Sequence, residues 1–363
     1  MKTSSLKKYL ALGAAFAALA STPDLHADVS IFIEGGSASQ SVLYDRATNL
    51  FAGGTLTVYG GGSSSTVRRF QGTSGNPLLS GYGTITFDIN VANGAIAGLQ
   101  SLVNQSPGPG DTNYLGTPVV PTFVDSATSP DAVGISSVAA NLTAYPTYVV
   151  PLVFVRNTNY PVVTAITNLT SRQAVSLETS LNPATFYGGT STNVVYFVGR
   201  NSEAAVRTEI DLNIFNSAYI ETYATNASGL PVQDTSADPG LSSGGAVAAN
   251  VLALTNSIGT VAVQNIKTGL GAIAIDGVSY SPTNVINGSY SLWGYENYYF
   301  ITAPNAGAPT AAQQAVLDVF YGSVTNATFE TTSPVFTNLF IPNFALRVSR
   351  AYDGGPITPL PGY

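Results

Sequence analysis

Residues 29–39 place the firmest constraint on the fold. Val29-Ser30-Ile31-Phe32-Ile33 has the composition of a strand, and Glu34-Gly35-Gly36-Ser37-Ala38-Ser39 is a loop of small residues. Val42, Leu43, Leu50 and Phe51 then recur at roughly helical spacing. A small-residue loop that opens a helix presents peptide N–H groups and the positive end of the helix dipole. That geometry holds an anion without any catalytic side chain. Any strand-to-helix turn favours Gly and Ser, so the pattern gains meaning only through repetition along the chain.

It does repeat. Leu56-Thr57-Val58-Tyr59 reads as a strand and leads into Gly60-Gly61-Gly62-Ser63-Ser64-Ser65. Thr66–Phe70 fits the start of a helix or a further strand. Thr84–Ile89 alternates as a strand does, Asn93-Gly94 follows, and Ala95, Ile96, Leu99, Leu102 and Val103 form a helical stripe. Tyr148–Val155 is a nearly continuous apolar run, the mark of a strand buried on both faces. Asn168-Leu169-Thr170-Ser171-Arg172-Gln173 has the form of a helix start. Asn193–Gly199 is a second buried strand, running through Arg200-Asn201-Ser202-Glu203 into a helix with Val206, Ile210, Leu212 and Phe215. Val247–Leu254 reads as a helix, 259–263 and 272–275 as strands, and Thr310–Tyr321 as the last clear helix. Residues 106–121 and 223–245 are polar connectors. Residues 351–363 are a Pro/Gly tail with little reason to be ordered. Strands alternating with helices predict an α/β architecture with partly parallel sheets, and ligands in such sheets sit beyond the carboxyl ends of strands.

Composition narrows the chemistry. The chain is 45% apolar, enough for a substantial core, yet only 9% charged, against roughly 25% in ordinary soluble proteins. Lys2, Lys7 and Lys8 before the apolar stretch Tyr9–Ala20 have the form of a secretory signal, with cleavage expected after Ala20 or Ala27. Cleavage after Ala27 removes three lysines and Asp24, which takes the formal net charge from −7 to about −9. A chain this acidic is not expected to bind nucleic acid or anionic lipid through bulk charge. No later segment has the ~20 apolar residues of a membrane helix. There is no cysteine, which excludes disulfides, thiol catalysis, Cys-based metal sites and a lipid-modified N-terminal Cys. The single histidine, His26, falls in or beside the signal, so the mature chain has no Ser-His-Asp chemistry and no His metal site. The scattered carboxylates suggest no catalytic pair. No cofactor and no enzymatic activity are expected.

The order of segments resembles the phosphate-binding-protein-like family of type II periplasmic substrate-binding proteins, which serve ABC importers. Tyr148–Asn157 resembles the strand on which that chain crosses to its second lobe. Asn168-Leu169-Thr170 with Gln173 resembles the second lobe's Asn-Leu-Thr-x-x-Gln helix start. Tyr196-Phe197-Val198-Gly199-Arg200-Asn201 resembles the strand leading to the anion loop, Ser257–Val261 the return strand, and Asn284–Trp293 the Asn-Gly-x-Tyr-Pro segment near the hinge. The resemblance implies a two-lobed α/β fold with two interlobe crossovers, near 148–155 and 257–263. The implied division is a signal segment 1–27, a first lobe from 28–150 and 261–350, a second lobe 151–260, and a tail 351–363. It further implies a periplasmic or secreted protein binding a small oxyanion or polar solute in the cleft, with an ABC importer complex as a membrane partner.

The family's ligand positions carry over in part. Ser37, Ala38 and Ser39 fit the first loop. Ser63 and Asn93-Gly94 compete for the second. Asp131 with Ser136 and Ser137 resembles the Asp-x-x-x-Ser-Asp loop with one extra residue, so that Ser137 stands where the family has a proton-accepting Asp. Arg200 is kept in the fourth loop and Arg207 follows, but Ala204-Ala205-Val206 replaces Ser-Gly-Thr. The resemblance thus implies degraded phosphate specificity. Plainer roles compete: Arg207 pairing with Asp211 one helical turn on, Asp131 capping its own loop, and Trp293 with its neighbouring tyrosines as core or hinge. The alternative function is that of a Ser/Thr/Asn-rich surface structural or adhesive protein without a small-molecule ligand.

Overall fold

The computed structural model describes residues 27–60, 66–138, 140–216 and 220–363; residues 1–26 of the expected signal segment and Ser63 lie outside the described residues. Ten strands and six helices build the frame. The strands are β1 (Ala27–Gly35), β2 (Thr57–Tyr59), β3 (Val67–Gly72), β4 (Tyr82–Asn90), β5 (Phe123–Ser126), β6 (Leu142–Asn157), β7 (Val194–Val198), β8 (Ser257–Ala262), β9 (Leu270–Ile275) and β10 (Trp293–Ile301). The helices are α1 (Gln40–Leu50), α2 (Ala95–Asn104), α3 (Ser171–Thr179), α4 (Ala205–Ile214), α5 (Gly244–Ala253) and α6 (Ala311–Val324).

The sheet runs in the order β2-β3-β4-β1-β5-β10-β6-β8-β7. β1 lies parallel to β4 and β5, and β7 parallel to β8; the pairs through β6 and β10 are antiparallel. β6 joins the two lobes. Its residues 142–151 pair with β10, and Leu152–Arg156 pair with β8. The change of partner falls at Pro151, which has no N–H to give to either ladder. Leu152 N then donates to Leu292 O, and the Tyr290 hydroxyl donates to Leu152 O at 2.7 Å. Tyr148–Val155 is wholly buried, as an apolar run packed on both faces must be. The two-lobed α/β architecture predicted from the segment order is the observed one.

Local chemistry explains the helix starts. Thr170 and Gln173 form a reciprocal capping box at α3, each satisfying a backbone N–H that the first turn leaves without an intrahelical partner. Thr310 and Gln313 do the same at α6.

One open alternative is settled and two expectations change. Thr66–Phe70 resolves as a strand, because its alternate residue Phe70 buries against Tyr44 on α1 while its arginines stay nearer solvent. The second lobe extends past residue 260: β9 pairs antiparallel with Phe154–Asn157 of β6, so the chain returns to the first lobe only between β9 and β10. The tail is ordered. Val348–Ser349 pairs with Thr358–Pro359, Asp353 accepts from Ser129 N at 2.6 Å, and Gly354 packs on Leu212 of α4. Polar anchoring of a short hairpin overrides its Pro/Gly composition. Trp293 is fully buried with the Arg350 guanidinium 4.0 Å above its ring, a core position beside the change of partner in β6.

Candidate functional site

Four helix starts meet between the lobes. Gly36, Ser37 and Ala38 lead into α1, Gly94 caps α2, Ala204 caps α4, and Ser243 caps α5. The first three surround one cavity, together with Ala127 after β5, Arg200 after β7, and Glu296 on β10. The first N–H groups of each helix lack intrahelical partners, so the walls supply donors for oxygen atoms.

The cavity is nearly closed. Its free volume is about 10 Å³, room for about one water molecule. Ser37 is the hub of closure. Its Oγ accepts from Gly244 N (3.4 Å) and Arg200 Nη1 (3.5 Å), and its carbonyl accepts from Gln264 Nε2 at 2.8 Å. Ser41 Oγ donates to Gln264 Oε1, Ile96 N donates to Glu203 O, and Thr128 Oγ1 donates to Ala205 O. Each of these bonds joins the two lobes.

Arg200 is 3% exposed. Its Nε donates to Leu241 O and its Nη2 to Ser242 O, both at 2.9 Å. Burial pulls its pKa down to about 10. The guanidinium is thus largely engaged by carbonyls of its own lobe. Ala204, Ala205 and Val206 give the facing wall no hydroxyl.

Acids crowd the floor. Asp125 on β5 accepts a hydrogen bond from Ser39 Oγ, and burial raises its pKa to about 7. Glu296 faces Asp125, and Glu209 reaches in from α4; burial, then neighbouring acids, hold both well above the ordinary carboxyl range. A bulge in β6 at Thr147, whose Oγ1 donates to Glu296 O, marks the register change beside Glu296. Nearby, Glu34 at the end of β1 and Asp111 share Asn93 Nδ2, at 3.2 and 3.0 Å. Burial and Asp111 raise Glu34 to about 9.

The sequence-predicted residues divide accordingly. Ser37, Ala38, Gly94 and Arg200 line the cavity. Ser39 lies beneath it, spent on Asp125, and Asn93 is spent on Glu34 and Asp111. Arg207 stands outside, 3.5 Å from Asp211 in the i,i+4 pair. Asp131, Ser136 and Ser137 are a correction: they form a separate loop in which Ser137 N and Oγ both donate to the Asp131 carboxylate. The chain reaches the cavity earlier, at Ala127, directly where β5 ends. Sequence reasoning missed Ala127, Asp125, Gln264 and Glu296. Only Glu296 carried a signal, as a lone acid inside the aromatic strand Trp293–Ile301. Among the described residues no group of acidic or histidine side chains is arranged to hold a metal ion, and no helix is long and apolar enough to cross a membrane.

No protein-family model and no curated protein matches the sequence. Solved structures do match. A phosphate ABC transporter substrate-binding protein from Clostridium perfringens, with bound phosphate, superposes at a TM-score of 0.54 and 16% identity, covering 80% of this chain and 92% of its own. An ABC-type phosphate transport receptor from Vibrio cholerae gives 0.50 and 13%, covering 80% and 93%. At such identity the likeness is one of fold. The chain has the two-lobed α/β fold of the substrate-binding proteins of ABC importers, in a form divergent from the phosphate receptors it matches.

Proposed function

We propose that this chain is an exported solute-binding protein that takes a small polar solute between its lobes and delivers it to an ABC importer. The observation that carries the reading is the convergence of the α1, α2 and α4 starts and Arg200 on one interlobe cavity. Lobes joined through β6 supply the hinge, and the bonds around Ser37 supply the closed state. Phosphate specificity is degraded in this reading, because Ala204-Ala205-Val206 offers no hydroxyl and Arg200 is engaged by carbonyls. A dry anion site needs each ligand oxygen paired with a donor.

Export is part of the proposal and rests on the basic and apolar stretches of residues 2–20. N-terminal sequencing of the secreted protein should begin at Ser21 or Asp28. Calorimetric titration of residues 28–363 with phosphate, sulfate and a sugar panel should give saturable one-to-one binding for at least one solute. Silence across the panel rejects the reading and favours a surface protein without a small ligand.

A further inference from the structure

The polar groups around the cavity are unbalanced in a way that points to a class of ligand. Glu296 is 1% exposed and lines the cavity, and apart from the Asp125 carboxyl, with which it shares a proton, no hydroxyl or N–H group donates to either of its oxygens. Its polar neighbour across the sheet is Asp125, itself an acid already holding Ser39 Oγ. Glu209, fully buried on the second lobe's α4, adds a further acid nearby, but its carboxyl faces Thr128, Asp353 and Arg350. A buried acceptor without a donor is costly, and binding is the event that relieves it.

Arg200, the one cation lining the cavity among the described residues, is already engaged, and Arg350 faces Glu209 rather than Glu296. Arg200 gives Nε and Nη2 to carbonyls, and Nη1 to Ser37 Oγ. A fully ionised oxyanion entering here meets carboxyls that have nothing to donate beyond a proton they already share. A hydroxyl group meets what it requires: an acceptor in Glu296, and peptide N–H donors at the helix starts for its oxygen.

We infer that the interlobe cavity takes a compact, uncharged solute bearing hydroxyl groups, one of which donates to Glu296, and that it excludes sulfate and phosphate. The inference rests on the solute-binding reading above and names its substrate class. The lobes part to admit the solute, since the closed cavity has room for about one water.

The test is a titration of residues 28–363 at pH 7 with boric acid, glycerol, glucose, sulfate and phosphate, repeated on Glu296→Leu and Glu296→Gln. The leucine removes the acceptor; the glutamine keeps a carbonyl oxygen and gives Asp125 a donor. Binding of a hydroxyl solute but of neither anion is expected, weakened about tenfold or more in the leucine variant and held within about threefold in the glutamine variant. Tighter binding of sulfate or phosphate than of every hydroxyl solute overturns the inference and leaves the solute-binding reading standing. Equal affinity of the leucine variant and the unaltered protein removes Glu296 from the site. No binding by any probe rejects the solute-binding reading itself, and this inference with it. Circular dichroism of both variants establishes that the fold is kept.

Discussion

Gly94 is where closure of the lobes is most open to attack. It caps α2 with φ 95° and ψ 157°, a region that only glycine occupies readily. A Cβ placed there would stand 2.3 Å from the carbonyl oxygen of Glu203 and 2.9 Å from its carbonyl carbon. Both are backbone atoms of the opposite lobe, so no rotamer change relieves the overlap. Gly94→Ala therefore has two separable effects. Backbone strain costs about 1–3 kcal/mol whether the lobes are open or closed. The overlap acts only on the closed form, and it breaks the bond from Ile96 N to Glu203 O, worth about 0.5–1.5 kcal/mol. The sum is about 1.5–4.5 kcal/mol. Gly134→Ala is the control, because Gly134 has φ 77° with nothing within 4 Å of the added carbon; it should cost about 1–2 kcal/mol. Urea denaturation reads the stability difference, and small-angle scattering reads the lobe separation. Gly94→Ala should be the less stable variant, and it alone should increase the radius of gyration. Equal stability of the two variants with unchanged scattering would refute this account of closure.

Burial of carboxyls sets the pH dependence. Glu34 rises from 4.5 to about 9, and Asp125 from 3.8 to about 7. Both folded-state values exceed the unfolded ones, so the native chain binds more protons. The stability from these two acids is complete below about pH 4 and falls as pH rises through about 9, by up to about 1.4 kcal/mol per pH unit for each group. Glu34→Gln should flatten the curve of urea midpoints between pH 5 and 9; wild-type stability that is constant or rising over that range contradicts the assignment. Removing residues 350–363 strips Arg350 from the ring of Trp293 and frees Ser129 N from Asp353. Because Trp293 is the single tryptophan, its emission should move to the red and the thermal midpoint should fall; no change in either shows that the tail is ornamental.

Much of this was legible where one residue's chemistry dominates. The apolar run Tyr148–Val155 can only be a doubly buried strand, and it proved to be the strand both lobes share. Thr170 with Gln173 marked a helix start because a capping box is a local device. Ser37 is legible in the small-residue loop that opens a helix, and Arg200 in the resemblance of Tyr196–Asn201 to the family's anion-loop strand. The third loop was misplaced for the opposite reason. Ala127 reaches the cavity with only a methyl group and leaves no signature, whereas Asp131 and Ser137 look like a ligand pair yet bond to each other. Glu296, Asp125 and Glu209 come from three distant segments, and only the tertiary packing brings them together. The ordered tail depends on Asp353 meeting Ser129 across more than two hundred residues, a contact that no local pattern encodes.

The cavity itself is the central claim, and filling it tests that claim most directly. Ala205 lines it with a buried methyl group at the start of α4. Ala205→Trp places an indole in space with room for about one water. Titration of this variant and of the unaltered protein with boric acid, glycerol, glucose, phosphate and sulfate compares the two directly. Whatever solute the unaltered protein binds should bind the variant at least about a hundredfold more weakly, with the circular dichroism spectrum retained. Undiminished affinity in the folded variant would place the ligand elsewhere and contradict the account.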